Sequence, residues 1–324
     1  MTSASAVQQR GVAIITALLI VALATTLSAS IATSLQLQVR RTANLLGNDQ
    51  ALLYVRPAEK LARNVLEDDL KNSNIDHLGE GWAQDIPPID MDGVMIAGKL
   101  SDMQACFNLN SLAQAVPAES NNDNDTPPDA NNTSIERFKS LISAYGIDAR
   151  ASDAVLDWID ADVNTTIPDG AEDGYYMNLD KPYRAANQPF QSVSTLRLVR
   201  GFEDAGRFSA LRPYLCAFGQ PADINVNTAP AEVLLSLAAD MSPSDVETII
   251  QTREMTPFEK LEDFLKLGNL NQKIKNQTGL SVDSEYFLLT TRLQAGSVTK
   301  TVYSIIHRSK AGQTRIISRS QGAL

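Results

Sequence analysis

The feature that most constrains this chain is a long uncharged segment near its N-terminus. Residues 12–39 contain no charged side chain, and they directly follow the dipeptide Arg10-Gly11. At about 1.5 Å of rise per residue, a helix of this length can cross a hydrocarbon core ~30 Å thick. Gln36 and Gln38 make the far end of the segment less apolar, so we expect residues 12–35 to form the membrane-spanning part.

A glycine placed before this segment decides how the chain can be processed. An ordinary secretory signal is cut after its apolar core, which removes the core. A cut between Gly11 and Val12 would instead leave the hydrophobic helix on the mature protein. This arrangement resembles the type IV prepilin leader, although Thr16 stands where such chains usually carry glutamate. The alternatives are a signal peptide cut near Ser28-Ala29-Ser30 and a plain signal anchor.

Composition and charge limit what the rest of the chain can do. With 324 residues, 44% of them hydrophobic, the chain can build one or more cores beyond the membrane helix. Its net charge of −10 disfavours a nucleic-acid surface. Arg10 indicates a cytoplasmic leader and an exported bulk, although Arg40-Arg41 on the far side weakens this positive-inside argument. Export makes Cys106 and Cys216 candidates for one disulfide, and two free buried thiols are the alternative.

The next segment is predicted to continue the helix and then enter a sheet. Apolar residues recur at near-helical spacing at Leu46, Leu53, Leu61, Val65 and Leu70. An interruption of this helix is expected at Pro57 and its end at Gly79 and Gly81. Pro87-Pro88 predicts a loop. Strands are expected at residues 94–97 and 100–110, separated by Gly98-Lys99.

The middle of the chain is predicted to be helical. Residues 117–132 are rich in Asn, Asp and Pro and are expected to form a mobile loop. The sequence Thr133-Ser134-Ile135-Glu136 predicts a capping box that opens a helix to Tyr145, with Gly146 as its stop. A second helix is expected from Ala151 to Ile159.

An acidic loop follows this second helix. Its carboxylates, amides and glycines suit calcium, a hard cation that takes six to eight oxygen ligands. Asp160, Asp162 and Asn164 match the first ligands of an EF-hand, but Thr165 occupies the glycine position and Ala171 the position of the bidentate glutamate. The pattern therefore predicts an irregular calcium loop. Without a cation, the repulsion between its carboxylates would be offset only by Lys181 and Arg184 nearby. A solvated acidic loop is the alternative.

A second organised region begins at Asp223. It predicts a short strand, a helix opened by Pro230, and further helices at residues 244–253 and 261–267. This order resembles the helix-hairpin-helix modules of DNA-uptake proteins, which hold phosphate through glycine-containing hairpins. The hairpin at residues 238–243 contains no glycine, and residues 223–266 carry nine acidic and three basic side chains. We therefore expect a packing or docking scaffold.

Two short motifs resemble each other, and the chain ends in strands. Phe107-Asn-Leu-Asn110 and Ile224-Asn-Val-Asn227 each follow one of the cysteines. If these two segments are neighbours, a Cys106–Cys216 disulfide becomes geometrically reasonable. Strands at residues 285–293, 297–308 and 314–319 are predicted to form an antiparallel meander.

Taken together, these motifs carry a family resemblance over nearly the whole chain. The Arg10-Gly11 leader without the usual glutamate and the two Asn-containing motifs are similar to the general secretion pathway protein K family. Asp157-Trp-Ile-Asp160-Ala-Asp162 and Ala171-Glu-Asp-Gly-Tyr-Tyr176 add to this similarity. Members of that family are the large minor pseudopilins of type II secretion.

The resemblance implies an α+β fold in which a pilin-like N-terminal helix packs on an antiparallel sheet. It implies a large helical insertion with a helix-hairpin-helix-like (SAM-like) module. The expected division is a leader at 1–11, a transmembrane segment at 12–35, the rest of the helix and first strands at 36–110, a first insertion with the calcium loop at 111–217, a helix-hairpin-helix-like module at 218–282, and C-terminal strands at 283–324.

The resemblance also implies ligands, partners and location. The calcium ligands carried over are Asp157, Asp160, Asp162, Glu172 and Asp173. The expected partners are minor pseudopilins I and J, the prepilin peptidase, the inner-membrane secretion platform and secreted cargo, with no nucleic acid. The expected location is the inner membrane, crossed once, with the C-terminal domain in the periplasm and a methylated mature N-terminus.

The function implied by the resemblance is that of a non-enzymatic minor pseudopilin of type II secretion, which forms or caps the pseudopilus tip and initiates its assembly for protein export across the outer membrane. Thr16 cannot neutralise the N-terminal amine of a subunit above it, and a bulky insertion would block further stacking. The alternative function is a membrane-tethered, helix-hairpin-helix nucleic-acid-binding protein of DNA uptake. An exported hydrolase is disfavoured because the two histidines, His77 and His307, have no recognisable nucleophile or metal-ligand companion.

Overall fold

The computed structural model describes residues 6–115, 128–296 and 298–321. Within them lie ten α-helices: α1 Ala6–Leu53, α2 Val55–Asn72, α3 Pro128–Ala144, α4 Ala151–Ile159, α5 Asp173–Tyr176, α6 Ala205–Leu211, α7 Ala231–Leu235, α8 Pro243–Met255, α9 Leu261–Lys266 and α10 Leu270–Lys273. Nine strands are β1 Ile86–Met91, β2 Val94–Asp102, β3 Phe107–Asn108, β4 Leu215–Cys216, β5 Ile224–Asn225, β6 Leu280–Ser281, β7 Tyr286–Ala295, β8 Val298–Arg308 and β9 Thr314–Gln321.

An antiparallel five-stranded sheet in the order β1-β2-β7-β8-β9 forms one part of the molecule. Helix α2 packs on it through Val55, Ala62 and Leu66, which contact buried apolar residues of β2, β7 and β8. Glu59 is also buried on this face, where it accepts hydrogen bonds from Ser304 and Arg319. We call α2 and this sheet the sheet domain. The expected α+β arrangement of an N-terminal helix and an antiparallel sheet is thereby confirmed.

The predicted C-terminal meander is confirmed, but the first strands were placed wrongly. Gly98 and Lys99 lie inside β2, and the hairpin turn is at Asp92-Gly93, both with positive φ. Pro87-Pro88, expected in a loop, belongs to β1. This is an edge strand, where a residue that lacks an amide donor is tolerated.

The long N-terminal helix is interrupted at Tyr54, three residues before the expected Pro57, and α2 ends at Asn72 rather than at the later glycines. The leucine spacing predicted the packed face only in part. Leu53 is 72% exposed and Leu61 48% exposed, whereas Ala62 and Leu66 are buried. Small and polar side chains therefore form more of the packed face than the leucines indicated.

The segment between the sheet strands folds into two helical modules that share one hydrophobic core. We define the first helical module as residues 105–220 and the second as residues 224–283. The first contains α3 to α6 and is closed by the parallel pair of β3 with β4. The second contains α7 to α10 and is closed by the parallel pair of β5 with β6.

Helix α3 begins earlier than predicted. It starts at Pro128, inside the segment expected to be a loop, so Thr133 lies within the helix and does not cap it. The rest of the predicted loop, residues 117–127, lies outside the described residues. The expected stop is confirmed, because α3 ends at Ala144 and Gly146 follows with φ of +70°. Helix α4 matches its predicted bounds.

Candidate metal centre

Three carboxylates of the first helical module converge on one point. Asp157 lies in the last turn of α4, Asp160 follows that helix directly, and Glu172 immediately precedes α5. One oxygen from each lies within 4.8 Å of the others. Trp158 and Ile159 are buried in the module core, which fixes the end of α4 and so holds Asp157 inside the loop.

The acidic loop is folded around Asp157. Both carboxylate oxygens of Asp157 accept the Thr166 amide hydrogen, at 3.0 and 3.2 Å. The Gly170 amide donates to the Thr166 carbonyl oxygen at 2.8 Å, which turns the chain back. A Cβ at Gly170 would collide with Asp157 Oδ2 and lie 2.5 Å from that carbonyl oxygen. Only glycine fits here, because the backbone approaches the carboxylate so closely.

Several oxygens at this point have no hydrogen-bond partner. Asp160 Oδ1 and both Oε atoms of Glu172 are buried and unpaired within the part of the chain that the structure describes. Burial and then repulsion from neighbouring carboxylates raise the pKa of Asp160 to about 6 and that of Glu172 to about 7. Burying carboxylate oxygens without partners is unfavourable. The donor set therefore fits a hard cation, with Asp157, Asp160 and Glu172 as the residues that would hold it.

Two of the predicted ligands lie apart from this cluster. Asp162 is exposed, and its Oδ1 accepts the Asn164 amide hydrogen at 2.7 Å. Asp173 Oδ1 accepts the Ala185 amide hydrogen at 3.0 Å, and its Oδ2 lies 3.7 Å from Arg184 Nε. Both carboxylates shape the ends of the loop in this structure, and the structure does not bring them to the convergent point.

Residues distant in sequence complete the surroundings of the loop. Asn187 Nδ2 donates to the Asp162 carbonyl oxygen at 2.7 Å, while its buried Oδ1 has no partner within the described residues. Arg150 and Arg200 approach Asp169 at 3.4 and 3.9 Å. Of the two cations expected nearby, Arg184 contacts the loop through Asp173. No spacing rule links Asn187, Arg150 or Arg200 to the acidic motif, so sequence reasoning missed all three.

A second carboxylate group has a different character. Asp69, Asp76 and Glu80 also offer oxygens within 4.8 Å of one another. Arg308 is directed into this group, with Nη2 2.6 Å from Asp76 and Nη1 3.1 Å from Asp69. A guanidinium thus already supplies the positive charge, and we assign this group to the internal support of the sheet domain.

The two cysteines are joined where the sheet domain meets the first helical module. Cys106 and Cys216 form a disulfide with Cα atoms 5.8 Å apart, within the ordinary range. The route to this proximity differs from the expected one. The strand that begins at Phe107 pairs with Leu215-Cys216 itself, whereas the similar strand at Ile224 pairs with Leu280-Ser281.

The N-terminal residues singled out in the sequence lie on α1. Gly11 and Val12 are within this helix, and the Thr16 hydroxyl donates to the Val12 and Ala13 carbonyl oxygens at 3.1 and 3.0 Å. Within residues 12–42, an 18-residue window reaches a mean hydropathy of 2.4 and contains no buried residue, so by length and composition this helix can cross a membrane. Residues 1–5 of the leader lie outside the described residues.

The fold and the site define an α+β chain with an apolar N-terminal helix, an antiparallel sheet and a carboxylate-lined loop. Two family models described as type II secretion system (T2SS), protein K match residues 105–220 and 224–283. The type II secretion system protein K of Pseudomonas aeruginosa is 33% identical over 97% of this chain and 93% of its own length. That of Pectobacterium carotovorum is 33% identical over 97% of both chains.

A solved structure agrees with these relatives. A chain of the crystal structure of the GspK-GspI-GspJ complex from the enterotoxigenic Escherichia coli type 2 secretion system superposes with a TM-score of 0.74. It is 30% identical, and the match covers 88% of this chain and all of that one. The chain described here belongs to the type II secretion system protein K family. The resemblance inferred from the sequence motifs is thereby confirmed.

Proposed function

We propose that this chain is a minor pseudopilin of a type II secretion system. The observation that carries this function is a relative of that family 33% identical along 97% of the chain. We further propose that it assembles with minor pseudopilins I and J, because the superposed chain comes from a GspK-GspI-GspJ complex. Its C-terminal domain would lie in the periplasm, anchored by α1 in the inner membrane, and its role would be structural rather than enzymatic.

A position at the pseudopilus tip is the finer part of this proposal. In a growing filament, a buried glutamate at position 16 could neutralise the N-terminal amine of the next subunit. The Thr16 hydroxyl carries no charge, and it is already directed at carbonyl oxygens of its own helix. The two helical modules add bulk beyond the sheet domain, which disfavours a subunit stacked above. We expect T16E to insert normally into membranes without spreading along pseudopilus shafts, and finding it along the shafts would overturn the tip position.

Processing by the prepilin peptidase between Gly11 and Val12 belongs to the same proposal, together with methylation of the new N-terminus and contact with the inner-membrane platform. The mass of the N-terminal peptide of the protein purified from membranes tests the cut. A start at Val12 supports it, whereas a start near Ile31 would indicate an ordinary signal peptide.

We propose calcium as the ion of the acidic loop, held by Asp157, Asp160 and Glu172. The buried, unpaired oxygens of Asp160 and Glu172 support this proposal. A bound cation would neutralise the mutual repulsion of the carboxylates and fix the loop on the module core. We expect the melting temperature of the chain to fall when calcium is removed by a chelator. An unchanged melting temperature would count against the site.

The second helical module is proposed to be a helix-hairpin-helix-like scaffold that packs against protein. At the start of α8 the Ser242 hydroxyl accepts the Asp245 amide hydrogen, and the Asp245 carboxylate accepts the Ser242 amide hydrogen. Lys273 pairs with the same carboxylate. A phosphate would thus meet a carboxylate at this helix end. Salt-sensitive gel shifts with DNA at low salt would instead favour the alternative, a DNA-uptake function.

The assembly itself can be tested with the full-length chain. Affinity purification of the tagged chain from detergent-solubilised membranes is expected to recover pseudopilins I and J of the same organism. Deleting its gene is expected to stop export of type II cargo, and plasmid-borne wild-type protein is expected to restore it. Intact secretion in the deletion strain, with neither pseudopilin recovered, would contradict the proposed function.

A further inference from the structure

The pair Arg40-Arg41 has no role in the proposed function, and its position on the trans side of the membrane helix opposes the positive-inside tendency. Both side chains are exposed on α1. Among the described residues, neither arginine forms an ion pair. The next acidic residue along the helix, Asp49, lies about 12 Å further on at 1.5 Å of rise per residue. Two unpaired guanidiniums are therefore free to bind a partner.

The geometry of α1 places these guanidiniums at a defined depth. The helix is continuous from Ala6 to Leu53, and thirty residues separate Arg10 from Arg40. That separation corresponds to about 45 Å along the helix axis. A bilayer including both headgroup layers is about 40–45 Å thick. When Arg10 lies at the cytoplasmic surface, Arg40 and Arg41 therefore lie in the headgroup layer of the opposite leaflet.

The part of the chain next to the membrane differs in net charge from the rest of the protein. Residues 36–65 carry five basic and two acidic side chains, a net charge of +3, while residues 66–324 carry 22 basic and 36 acidic ones, a net charge of −14. The bulk of the protein is thus repelled by an anionic surface, and the positive end is the one next to the membrane. Arg56 and Lys60 lie about 22 Å or more beyond Arg41. This exceeds the Debye length of about 8 Å at physiological ionic strength.

We propose that Arg40 and Arg41 form a binding site for anionic phospholipid headgroups in the periplasmic leaflet of the membrane. Each guanidinium can donate two parallel hydrogen bonds to phosphate oxygens, a geometry that suits arginine better than lysine. The two side chains leave the helix about 100° apart, so together they bind lipids around one side of α1. The site fixes the depth of α1, and a subunit that leaves the membrane must release it.

Lipid selectivity of the full-length chain tests this proposal. The protein is reconstituted in phosphatidylcholine bilayers, and spin-labelled phosphatidylglycerol and phosphatidylcholine report which lipid is preferentially immobilised at the protein. We expect a preference for phosphatidylglycerol that weakens with salt and falls about twofold or more in R40Q/R41Q. The double variant R56Q/K60Q removes the same charge beyond the headgroup layer and is expected to keep the wild-type preference. All variants are prepared in the same processing state, so Arg10 is either present in each of them or absent from each, and its contribution cancels.

The remaining outcomes decide against the proposal. It is overturned if the wild-type chain shows no preference, if R40Q/R41Q keeps it, or if R56Q/K60Q loses as much. Displacement of the labelled lipid by inorganic phosphate at constant ionic strength would show a general phosphate site instead of a lipid site. Loss of pseudopilin recovery with unchanged lipid selectivity would show a protein contact. The proposal rests on α1 spanning the membrane, and it can hold even if the proposed secretion function fails.

Discussion

Each of the two helical modules begins with an asparagine that makes the same pair of hydrogen bonds, but the modules differ in how completely their other buried polar atoms are paired. In the first, Asn110 bridges to Phe190: the Phe190 amide donates to Asn110 Oδ1 at 2.7 Å, and Asn110 Nδ2 donates to the Phe190 carbonyl oxygen at 2.9 Å. In the second, Asn227 makes the same two hydrogen bonds to Phe258, at 2.9 and 3.0 Å. We call this pair of hydrogen bonds, between an asparagine side chain and the backbone of a buried phenylalanine, the clamp. The similarity between the two motifs in the sequence therefore reflects a clamp that occurs once in each module.

The difference lies in how each module treats its other buried polar atoms. Within residues 224–283 of the described chain, no buried side-chain oxygen or nitrogen lacks a hydrogen-bond partner. The described part of the first module leaves such atoms unpaired on five residues, namely Arg137, Trp158, Asp160, Glu172 and Asn187. Buried polar groups are normally satisfied, and exceptions call for an explanation. Because the unpaired carboxylates of Asp160 and Glu172 converge on one point, this difference supports the proposal that a cation completes the first module, whereas the second needs no ligand to pair its buried groups.

The largest expected effect concerns the shared clamp. Replacing Asn110 or Asn227 by alanine leaves the backbone amide and carbonyl of a buried phenylalanine without these hydrogen-bond partners. Each variant should therefore lose about 3 kcal/mol in the free energy of unfolding. Urea unfolding of the detergent-solubilised chain measures this loss. The exposed N271A is the control and should stay close to wild type. A loss in only one of the two clamp variants would break the structural equivalence of the modules.

The second prediction separates a ligand site from a merely acidic loop. In chelator, E172Q should be at least as stable as wild type, because a buried and repelled carboxylate has been removed. With calcium at about 100 times its dissociation constant, wild type should gain roughly 2.7 kcal/mol and E172Q much less. Melting temperatures with and without calcium show whether the order of stability reverses. D180N removes an exposed acid of the same module and should behave as wild type, whereas equal calcium shifts in wild type and E172Q would exclude Glu172 as a ligand.

These two predictions rest on different amounts of sequence information. The sequence located α4, α8 and the C-terminal meander because the helix and strand patterns that predict them are local to each segment. The clamp could be foreseen only as a repeated motif, since Phe190 and Phe258 lie 80 and 31 residues from the asparagines they contact. The acidic loop was recognised by composition, yet which carboxylates converge depends on the turn at Gly170. The first hairpin was misplaced because Gly98 resembles a turn residue although it lies within β2.

The third prediction tests the turn that draws the ligands together. G170A should cost about 2 kcal/mol, since its Cβ would collide with Asp157 and the Thr166 carbonyl in a packed loop. It should also weaken the calcium-dependent shift in melting temperature. At Gly174, four residues on, a Cβ would meet no atom within 4 Å, so G174A is the matched control and should be benign. Equal effects of the two substitutions would mean that the close approach at Gly170 does not organise the site.

The smallest expected effect lies in the second module, at the start of α8. Hydrogen bonds from Lys273 and Ser242 lower the pKa of Asp245 to about 2, from an ordinary value of 3.8. Because the folded state binds this proton less readily, the stabilisation is present above pH 4 and is lost as the pH falls through 2. D245N should therefore cost about 1 kcal/mol at pH 7 and almost nothing near pH 2. Unfolding free energies across this range give the comparison, with the exposed D240N as control.

A cost that persists near pH 2 would mean that Asp245 stabilises α8 without its charge, and the capping carboxylate would then be no barrier to a phosphate.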